Sequence, residues 1–234
     1  MLNLKNTKSF FYLVIIFILL FTNSCSKPQQ ADQGSYDTDE LYNYEVTSEP
    51  FESMQILKSY ADYKTYDTES ELFETSDIVF IGMPIETFTD GEEHYYNLNG
   101  IEISKNSSEK IGSYCTVRNI KVLKMIKGDS NLNTIKIAEN AVCKTYEDGT
   151  TRIIGLPDNT IITKKNSKYI YYANKAAQDN MDFYVPRSDQ GVVNIDGLDT
   201  NSFSKVSSQR LSEVKSRFAA DFAKYDRSNE LTAK

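Results

Sequence analysis

Short apolar segments alternate with polar segments along most of the chain, a pattern typical of β-strands that are joined by turns. The clearest block is residues 78–85, a nearly continuous apolar run rich in β-branched residues, which favours a strand buried on both faces. Gly82 and Pro84 inside this run indicate a local bend, because proline cannot donate to the ladder. The other predicted strands cover residues 115–126, 134–138, 149–154 with 160–163, 168–173 and 191–195. Residues 90–100 and 127–133 are polar and rich in turn formers, so we predict that they connect strands.

Two segments carry helical signals instead. Thr68 and Glu71 are spaced as in a capping box, which predicts a short helix that begins after Thr68 and ends near residues 76–77. Near the other end of the chain, apolar residues recur every three or four positions, as on one face of a helix: Leu211, Val214, Phe218, Phe222 and Tyr225. We predict an amphipathic helix at 204–226 that packs across the β-structure; the alternative is a helix that binds a partner or a membrane surface. The elements together predict a mainly β domain with flanking helices (α+β).

The first 24 residues have the organisation of a secretory signal. Lys5 and Lys8 precede an unbroken apolar run of twelve residues, 10–21. A helix of that length reaches roughly 18 Å, well short of the ~30 Å hydrocarbon core of a bilayer. Small polar residues follow at 22–24, and then Cys25. This order predicts a signal peptide at 1–24 and not a membrane-spanning helix.

The pair Ser24–Cys25 resembles the end of the lipobox of bacterial lipoproteins, where a small residue precedes the cysteine that becomes the new N-terminus. The resemblance implies that Cys25 carries a diacylglycerol group and further acyl chains such as palmitate. Each chain contributes about 0.8 kcal/mol per buried CH₂, so two or three would hold the protein firmly on the extracytoplasmic face of the cell membrane. Thr22 and Ser24 also form a tolerable small-x-small cleavage pair, so plain secretion and an uncleaved anchor stay open as alternatives.

Charge and patterning divide the rest of the chain and limit its partners. Residues 25–50 are polar and acidic without apolar periodicity, which predicts a flexible, lipidated tether before a single domain at 51–234. Removing residues 1–24 removes two lysines and no acid, so 24 Lys+Arg stand against 33 Asp+Glu and the formal net charge falls from −7 to −9. An acidic surface repels phosphate backbones and anionic headgroups. We therefore expect no nucleic-acid partner, and a membrane contact made through the lipid.

The order of segments in the middle of the chain resembles the netrin-module and metalloproteinase-inhibitor type of OB-fold barrel, which also occurs in bacterial lipoproteins. The resemblance rests on the segments at 76–82 (SDIVFIG), 120–128 (IKVLKMIKG), 134–137 (TIKI) and 168–172 (KYIYY). It implies an OB-like antiparallel β-barrel. It does not imply protease inhibition, because those inhibitors use a free N-terminal cysteine and the comparable Cys25 would be acylated. A shared fold is not a shared function.

Two further cysteines, Cys115 and Cys143, are equally far from residue 129, which lies inside the predicted turn at 127–133. If the flanking strands form a hairpin, the two cysteines face each other across it, as a disulfide requires. An exported protein permits that bond. The apolar residues of the two strands favour a pairing register that differs by one residue from the register of a Cys115–Cys143 pair. A β-bulge would make the two registers compatible. We predict the Cys115–Cys143 disulfide, with two buried free thiols as the alternative.

Other residues capable of chemistry form no catalytic pattern. His94 is the single histidine and lies among Asp90, Glu92 and Glu93 in a hydrophilic segment without a hydrolase or metalloprotease motif around it. We interpret it as a solvated loop histidine, and the three acids as a solvated charge run and not a Ca²⁺ loop. Two cysteines and one histidine do not make a metal site. The sequence thus predicts no catalytic residue, no metal and no cofactor.

Three functions agree with these features. The first is a lipid-tethered, non-catalytic binding module that holds a protein, peptide or glycan. The second is a cell-envelope hydrolase, for which location is the only support. The third is an accessory subunit of a membrane complex, docked through the stripe between Leu211 and Tyr225. A deep pocket with convergent titratable groups would favour the enzyme, and an exposed apolar patch would favour the binding module.

Overall fold

The computed structural model describes residues 54, 56–58, 65–155, 162–177, 181–187, 190–200 and 206–228, with residues 56–58 as backbone only. All of them belong to one compact unit, Glu45–Lys234. The predicted signal peptide at 1–24, the lipidated Cys25 and the tether at 25–50 lie outside the described residues. Within the described ranges, no helix has both the length and the apolar character needed to cross a bilayer.

Strands account for most of the regular structure. In chain order they are β1 (Ile56–Lys58), β2 (Ile78–Pro84), β3 (Glu92–Asn97), β4 (Glu102–Ile103), β5 (Ile111–Lys127), β6 (Thr134–Glu139), β7 (Ala141–Thr145), β8 (Thr151–Gly155), β9 (Tyr169–Lys175), β10 (Tyr184–Pro186) and β11 (Val192–Asn194). The helices are α1 (Glu69–Thr75), α2 (Ser208–Arg217) and α3 (Ala219–Tyr225), with a 3₁₀ turn at Phe88–Asp90.

Five strands close into a barrel in the order β2–β5–β6–β10–β9 and back to β2. Every pair is antiparallel except the short contact between β10 and β6, which is parallel. Strand β2 pairs with β5 and β9 along its two edges, and every residue of it is buried, in agreement with its continuous apolar sequence. The predicted OB-like, mainly β architecture with flanking helices is therefore confirmed.

Side chains from alternate positions of the barrel strands fill its interior. Phe80 and Tyr171 stack there with their ring centroids 4.9 Å apart, and Ile120 and Ile137 lie in the same cluster. A second, three-stranded sheet has the order β1–β8–β7. It contributes Ala141 and Ile153 to a separate apolar cluster that includes Phe88 and Ile162.

The predicted Cys115–Cys143 disulfide is wrong for this structure, because both cysteines are free. The β5–β6 hairpin does form, but its register pairs Thr116 with Glu139. After Asn140 the chain leaves this sheet and enters β7 of the second sheet, where Cys143 pairs with Ile153. Cys115 packs in one apolar cluster and Cys143 packs against another, so the change of sheet at Asn140 keeps the two thiols apart.

The two predicted helical segments are confirmed, with one change. Thr68 Oγ1 accepts a hydrogen bond from Glu71 N at 3.2 Å and caps α1, as the capping-box spacing predicts. The predicted helix at 204–226 is two helices, because Phe218 has φ −112° and ψ 33° between α2 and α3. Val214, Phe218 and Tyr225 are buried, so the apolar stripe packs on the domain.

Candidate functional site

Strands β3 and β4 and the beginning of β5 form a three-stranded projection, which carries His94 and Cys115. Strand β3 pairs with β5 from Glu92↔Val117 to Asn97↔Ile111, and with β4 on its other side. The prediction that residues 90–100 form a turn-rich connection is therefore wrong for most of that segment. Strand β5 is 17 residues long, and its first part provides a template to which this polar segment pairs.

His94 lies on strand β3 and not in a solvated loop. Its Nδ1 is 2.7 Å from Glu102 Oε1 on β4, and its Nε2 is 3.7 Å from Glu92 Oε2. The ring stacks on Tyr96 and tilts against Phe183 at a centroid distance of 5.8 Å. With 16% of its side chain exposed, His94 lies beside the buried cluster that contains Tyr96, Cys115 and Phe183.

Cys115 lies directly opposite His94 in the ladder, so a thiol, an imidazole and the Glu102 carboxylate occur together on one face. An activated cysteine needs a lowered pKa and access to solvent. Here burial, followed by the Glu102 carboxylate, raises the pKa of the Cys115 thiol to about 12, and the residue is buried. At neutral pH the thiol stays protonated, so this arrangement is not prepared for nucleophilic attack.

The acidic residues near His94 have separate partners. Glu92 and Glu93 are adjacent on β3 and so point to opposite faces. Glu93 Oε2 accepts hydrogen bonds from Lys105 Nζ at 2.6 Å and Tyr95 Oη at 2.9 Å, while its Oε1 accepts one from Cys143 N at 3.0 Å. The Glu93 carboxylate thus ties the projection to β7. No group of three His, Cys, Asp or Glu in the described residues is arranged to hold a metal ion.

The free end of the projection exposes three large apolar side chains, which we call the apolar tip: Leu98, Ile101 and Ile111. Their exposed fractions are 66%, 61% and 40%. Asn97 shapes the turn beneath them, because its Oδ1 accepts hydrogen bonds from the backbone N–H groups of Asn99 and Ile101. Asn97 is itself paired with Ile111 across the ladder, which brings the turn and the start of β5 together.

Gly112 permits this close approach. A Cβ atom at residue 112 would lie 2.7 Å from Asn97 O and 2.9 Å from Leu98 Cα, which is closer than real Cβ contacts. The ladder shifts register between Tyr96 and Asn97 at the same place. The sequence analysis did not identify the apolar tip; the available signal was Leu98 and Ile101 standing among turn-forming asparagine and glycine residues.

A second polar cluster lies inside the domain and is closed to solvent. Arg118 Nη2 donates to Glu139 Oε1 at 2.7 Å and to Thr163 O at 2.6 Å, and Nη1 donates to Glu86 O at 3.1 Å. The Arg118 guanidinium also lies 5.8 Å from the ring centroid of Phe88, which belongs to the second apolar cluster. Since Arg118, Glu139 and Thr163 are each 2% exposed or less, we interpret this cluster as structural.

Two open grooves flank helix α2. The larger, of about 530 Å³, lies between α1 and α2 and contains Glu69 and Arg217, whose carboxylate and guanidinium are already paired at 2.6 Å. The smaller, of about 260 Å³, contains Arg210 and Gln190, which are hydrogen-bonded to each other. The charged groups of both grooves are paired with each other and hold the helices on the domain. The apolar tip is therefore a better candidate for a binding site than either groove.

No protein-family model matches this chain, and no curated protein matches it in sequence. The resemblances to the lipobox and to the netrin-module type of OB-fold barrel therefore stay predictions from the residues named above. The function has to be argued from the site, since a barrel of this kind can carry many functions.

Proposed function

We propose that this protein is a non-catalytic binding module, anchored by lipid on the extracytoplasmic face of the cell membrane, and that it binds a protein partner through the apolar tip. The observation that carries the proposal is the exposure of Leu98, Ile101 and Ile111 at one end of the projection. Scattered exposed apolar residues are normal on a protein surface, but a contiguous group of them marks an interaction site.

The apolar tip holds three of the four large apolar side chains that are exposed in the described residues; the fourth is Ile85, at 43%. The three are linked through Asn97, whose backbone N–H donates to Ile101 O at 2.9 Å and which pairs with Ile111. Burying such side chains in a complex stabilises it by roughly 1.5–3 kcal/mol each. Three of them could therefore support a specific contact.

The N-terminal sequence supports the anchor. Lys5 and Lys8, the apolar run at 10–21 and the pair Ser24–Cys25 are the parts that export and lipidation require. Acidic residues dominate the chain, with 33 Asp+Glu against 26 Lys+Arg, so surface charge does not favour contact with anionic lipid headgroups.

The alternatives have less support. A cell-envelope hydrolase would need a nucleophile or an acid–base pair in a pocket, and burial raises the pKa of the thiol opposite His94 instead of lowering it. An accessory subunit that docks through the C-terminal stripe would need that stripe exposed, whereas Val214, Phe218 and Tyr225 are buried in the domain.

Two measurements on the native cells test the proposal. Mass spectrometry of the mature N-terminus should find a first residue Cys25 carrying a diacylglycerol group; a peptide that begins at Met1, or unmodified Cys25 in secreted protein, contradicts the anchor. A photo-crosslinking amino acid at position 98 should capture a discrete protein partner in intact cells. The same amino acid at position 85 is the matched control, because Ile85 is also exposed but lies outside the projection. Equal capture at both positions, or none at 98, contradicts the binding site.

A further inference from the structure

We propose that His94 and Glu102 form a pH-sensitive contact, the His94–Glu102 clasp, which holds β4 on β3 and orders the turn that carries Leu98 and Ile101 of the apolar tip. The clasp is strongest at mildly acidic pH and weakens as His94 loses its proton. This inference deepens the proposed function, on which its consequence for partner binding rests. It depends on three features of the described residues: the short β3–β4 pairing, the contact between the two side chains, and the groups around the imidazole.

Strand β4 has few backbone contacts that hold it in place. It is two residues long and pairs with β3 at Tyr95↔Ile103 and Tyr96↔Glu102. Among the strands that the structure describes, β3 is its one neighbour in the sheet. The turn before it, residues 98–101, carries Leu98 and Ile101 of the apolar tip. So short a pairing is weak by itself, and side-chain contacts between β3 and β4 therefore decide how well this turn is ordered.

Two side-chain pairs connect β4 and the residues after it to β3, one on each face of the sheet. On one face His94 Nδ1 lies 2.7 Å from Glu102 Oε1. On the other face Lys105, which follows β4, donates to Glu93 Oε2 at 2.6 Å. His94 and Glu93 are adjacent on β3 and so point to opposite faces. Lysine ordinarily keeps its charge at physiological pH, whereas histidine is the side chain whose charge ordinarily changes between pH 5 and 8. We therefore expect the first pair to respond to pH and the second to stay constant.

Protonation changes the contacts that the imidazole can make in this place. A charged imidazole donates from both ring nitrogens, and a neutral one donates from only one of them. His94 Nε2 lies 3.7 Å from Glu92 Oε2, so in the charged form each ring nitrogen has a carboxylate beside it. Loss of the proton removes the Coulombic attraction to both carboxylates and leaves a single donor. Because 16% of the His94 side chain is exposed, solvent screens this attraction only in part.

The groups around His94 do not replace this response. The charged and titratable ones on the described strands packed against the ring, and beside them, are Glu92 and Tyr96 on β3, Glu102 on β4, Cys115 on β5, Lys136 on β6 and Asp182 just before β10. Burial raises the pKa of Tyr96 and of Cys115 to about 12, so neither changes its charge between pH 5 and 8. A hydrogen bond from Lys136 lowers the pKa of Asp182, so this carboxyl is ionised over the same range.

The test measures amide hydrogen exchange of the full chain in neutral detergent by mass spectrometry, at pH 5.5 and at pH 8. Each exchange rate is divided by the rate of an unstructured peptide of the same sequence at the same pH, which removes the intrinsic effect of pH on exchange. The protection obtained in this way for residues 95–103 should be at least about threefold higher at pH 5.5 than at pH 8.

Variants identify the groups responsible. His94→Gln and Glu102→Gln each remove one partner of the clasp, and in both the protection of residues 95–103 should be low and equal at the two pH values. Lys105→Gln is the matched control, because it removes the pair on the other face. In this control the protection should fall at both pH values and keep its dependence on pH. The proposal is overturned if the unmodified chain shows no dependence on pH, or if either clasp variant keeps it.

The consequence for binding is measured by photo-crosslinking at position 98, in intact cells suspended at pH 5.5 or at pH 8. Capture of the partner should be at least about twofold higher at pH 5.5, because an ordered surface loses less entropy on binding. Equal capture at the two pH values overturns the control of binding by the clasp.

These outcomes separate this inference from the proposed function. Protection that follows pH, together with no capture at position 98 at either pH, supports the clasp and rejects the proposed binding site. Capture at position 98, together with protection that is the same at both pH values, supports the binding site and rejects the clasp.

Discussion

Arg118 and Glu139 form an ion pair, 2.7 Å between Nη2 and Oε1, in which neither side chain reaches solvent. Thr163 completes it, because its backbone N–H donates to Glu139 Oε1 at 3.0 Å and its carbonyl accepts from Arg118. The pair joins β5 to β6 near the point where the chain passes into the second sheet. Removing one partner of such a pair leaves an uncompensated buried charge. This lowers the stability of the fold by more than the intact pair contributes to it.

We therefore predict that Arg118→Met lowers the free energy of unfolding by about 3–5 kcal/mol. The double variant Arg118→Met/Glu139→Leu should be more stable than Arg118→Met alone, since it buries no unpaired carboxylate. Urea unfolding of the full chain in neutral detergent measures both. A double variant that is less stable than Arg118→Met would contradict the explanation that the unpaired Glu139 carboxylate causes the loss of stability.

The hydrogen bonds of Glu69 hold the C-terminal helices to the domain. Glu69 Oε1 accepts from Tyr172 Oη at 2.8 Å and Oε2 accepts from Arg217 Nε at 2.6 Å, so α1, β9 and α2 meet at one buried carboxylate. Glu69→Gln should destabilise this junction by about 1–3 kcal/mol. We expect faster hydrogen exchange in α2 with little change in the barrel strands. Glu74→Gln, an exposed position on the same helix, is the control and should exchange like the unmodified chain.

The thiol of Cys115 should be slow to react. Its pKa of about 12 leaves roughly 10⁻⁴ of it as thiolate at pH 8, compared with about a tenth for a thiol of pKa 9. Alkylation by iodoacetamide, followed by peptide mass spectrometry, should be at least about 100-fold slower at Cys115 in the folded chain than in urea. Cys143 is half-buried and should react faster than Cys115. Rates at Cys115 within tenfold of the unfolded value would contradict this environment.

The same pKa shift predicts a dependence of stability on pH. The folded-state pKa of Cys115 is raised above its usual value of 9.0, so the folded state retains a proton that the unfolded state releases. The contribution to stability is fully present below about pH 9 and is lost as pH rises through the folded-state value of about 12. Cys115→Ala should thus lose less stability between pH 8 and pH 10.5 than the unmodified chain. An identical loss in both proteins would assign the alkaline sensitivity to other groups.

Gly112 tests whether the apolar tip is a defined structure. Gly112→Ala would place a Cβ atom 2.7 Å from Asn97 O, so the turn has to move. We expect faster hydrogen exchange at residues 97–101, with strands β2 and β9 unchanged. Gly149→Ala is the comparison, because Gly149 has φ +78° but no atom within 4 Å of the added Cβ. It should cost about 1 kcal/mol of stability and leave the apolar tip intact.

Several elements could be predicted because their causes are local. The apolar run at 78–85 indicates a strand buried on both faces, and β2 is such a strand. The strand predicted at 168–173 is β9. Thr68 and Glu71 locate the start of α1 by the spacing of a cap. The i, i+3/i+4 spacing of Val214 and Phe218 identifies the helix face that packs on the domain.

The candidate site could not be predicted in the same way. Residues 92–97 are polar and resemble a loop, and they form a strand only because β5 extends far enough to pair with them. The separation of Cys115 from Cys143 follows from one connecting residue, Asn140, after which the chain changes sheets. Sequence spacing cannot show such a change of sheet. A strand that continues to pair in its hairpin and a strand that leaves the hairpin have the same local pattern of apolar and polar residues.

The sequence by itself determined most of the strands, the helical segments, the excess of acidic charge and the signal-like N-terminus, because propensity, periodicity and charge act between near neighbours. Only the tertiary structure decided that Arg118 and Glu139 meet, that His94 faces Cys115, and that Leu98 lies against Gly112 of β5. Those relationships depend on strand register and on where each strand ends, and both are set by packing between segments far apart in the chain.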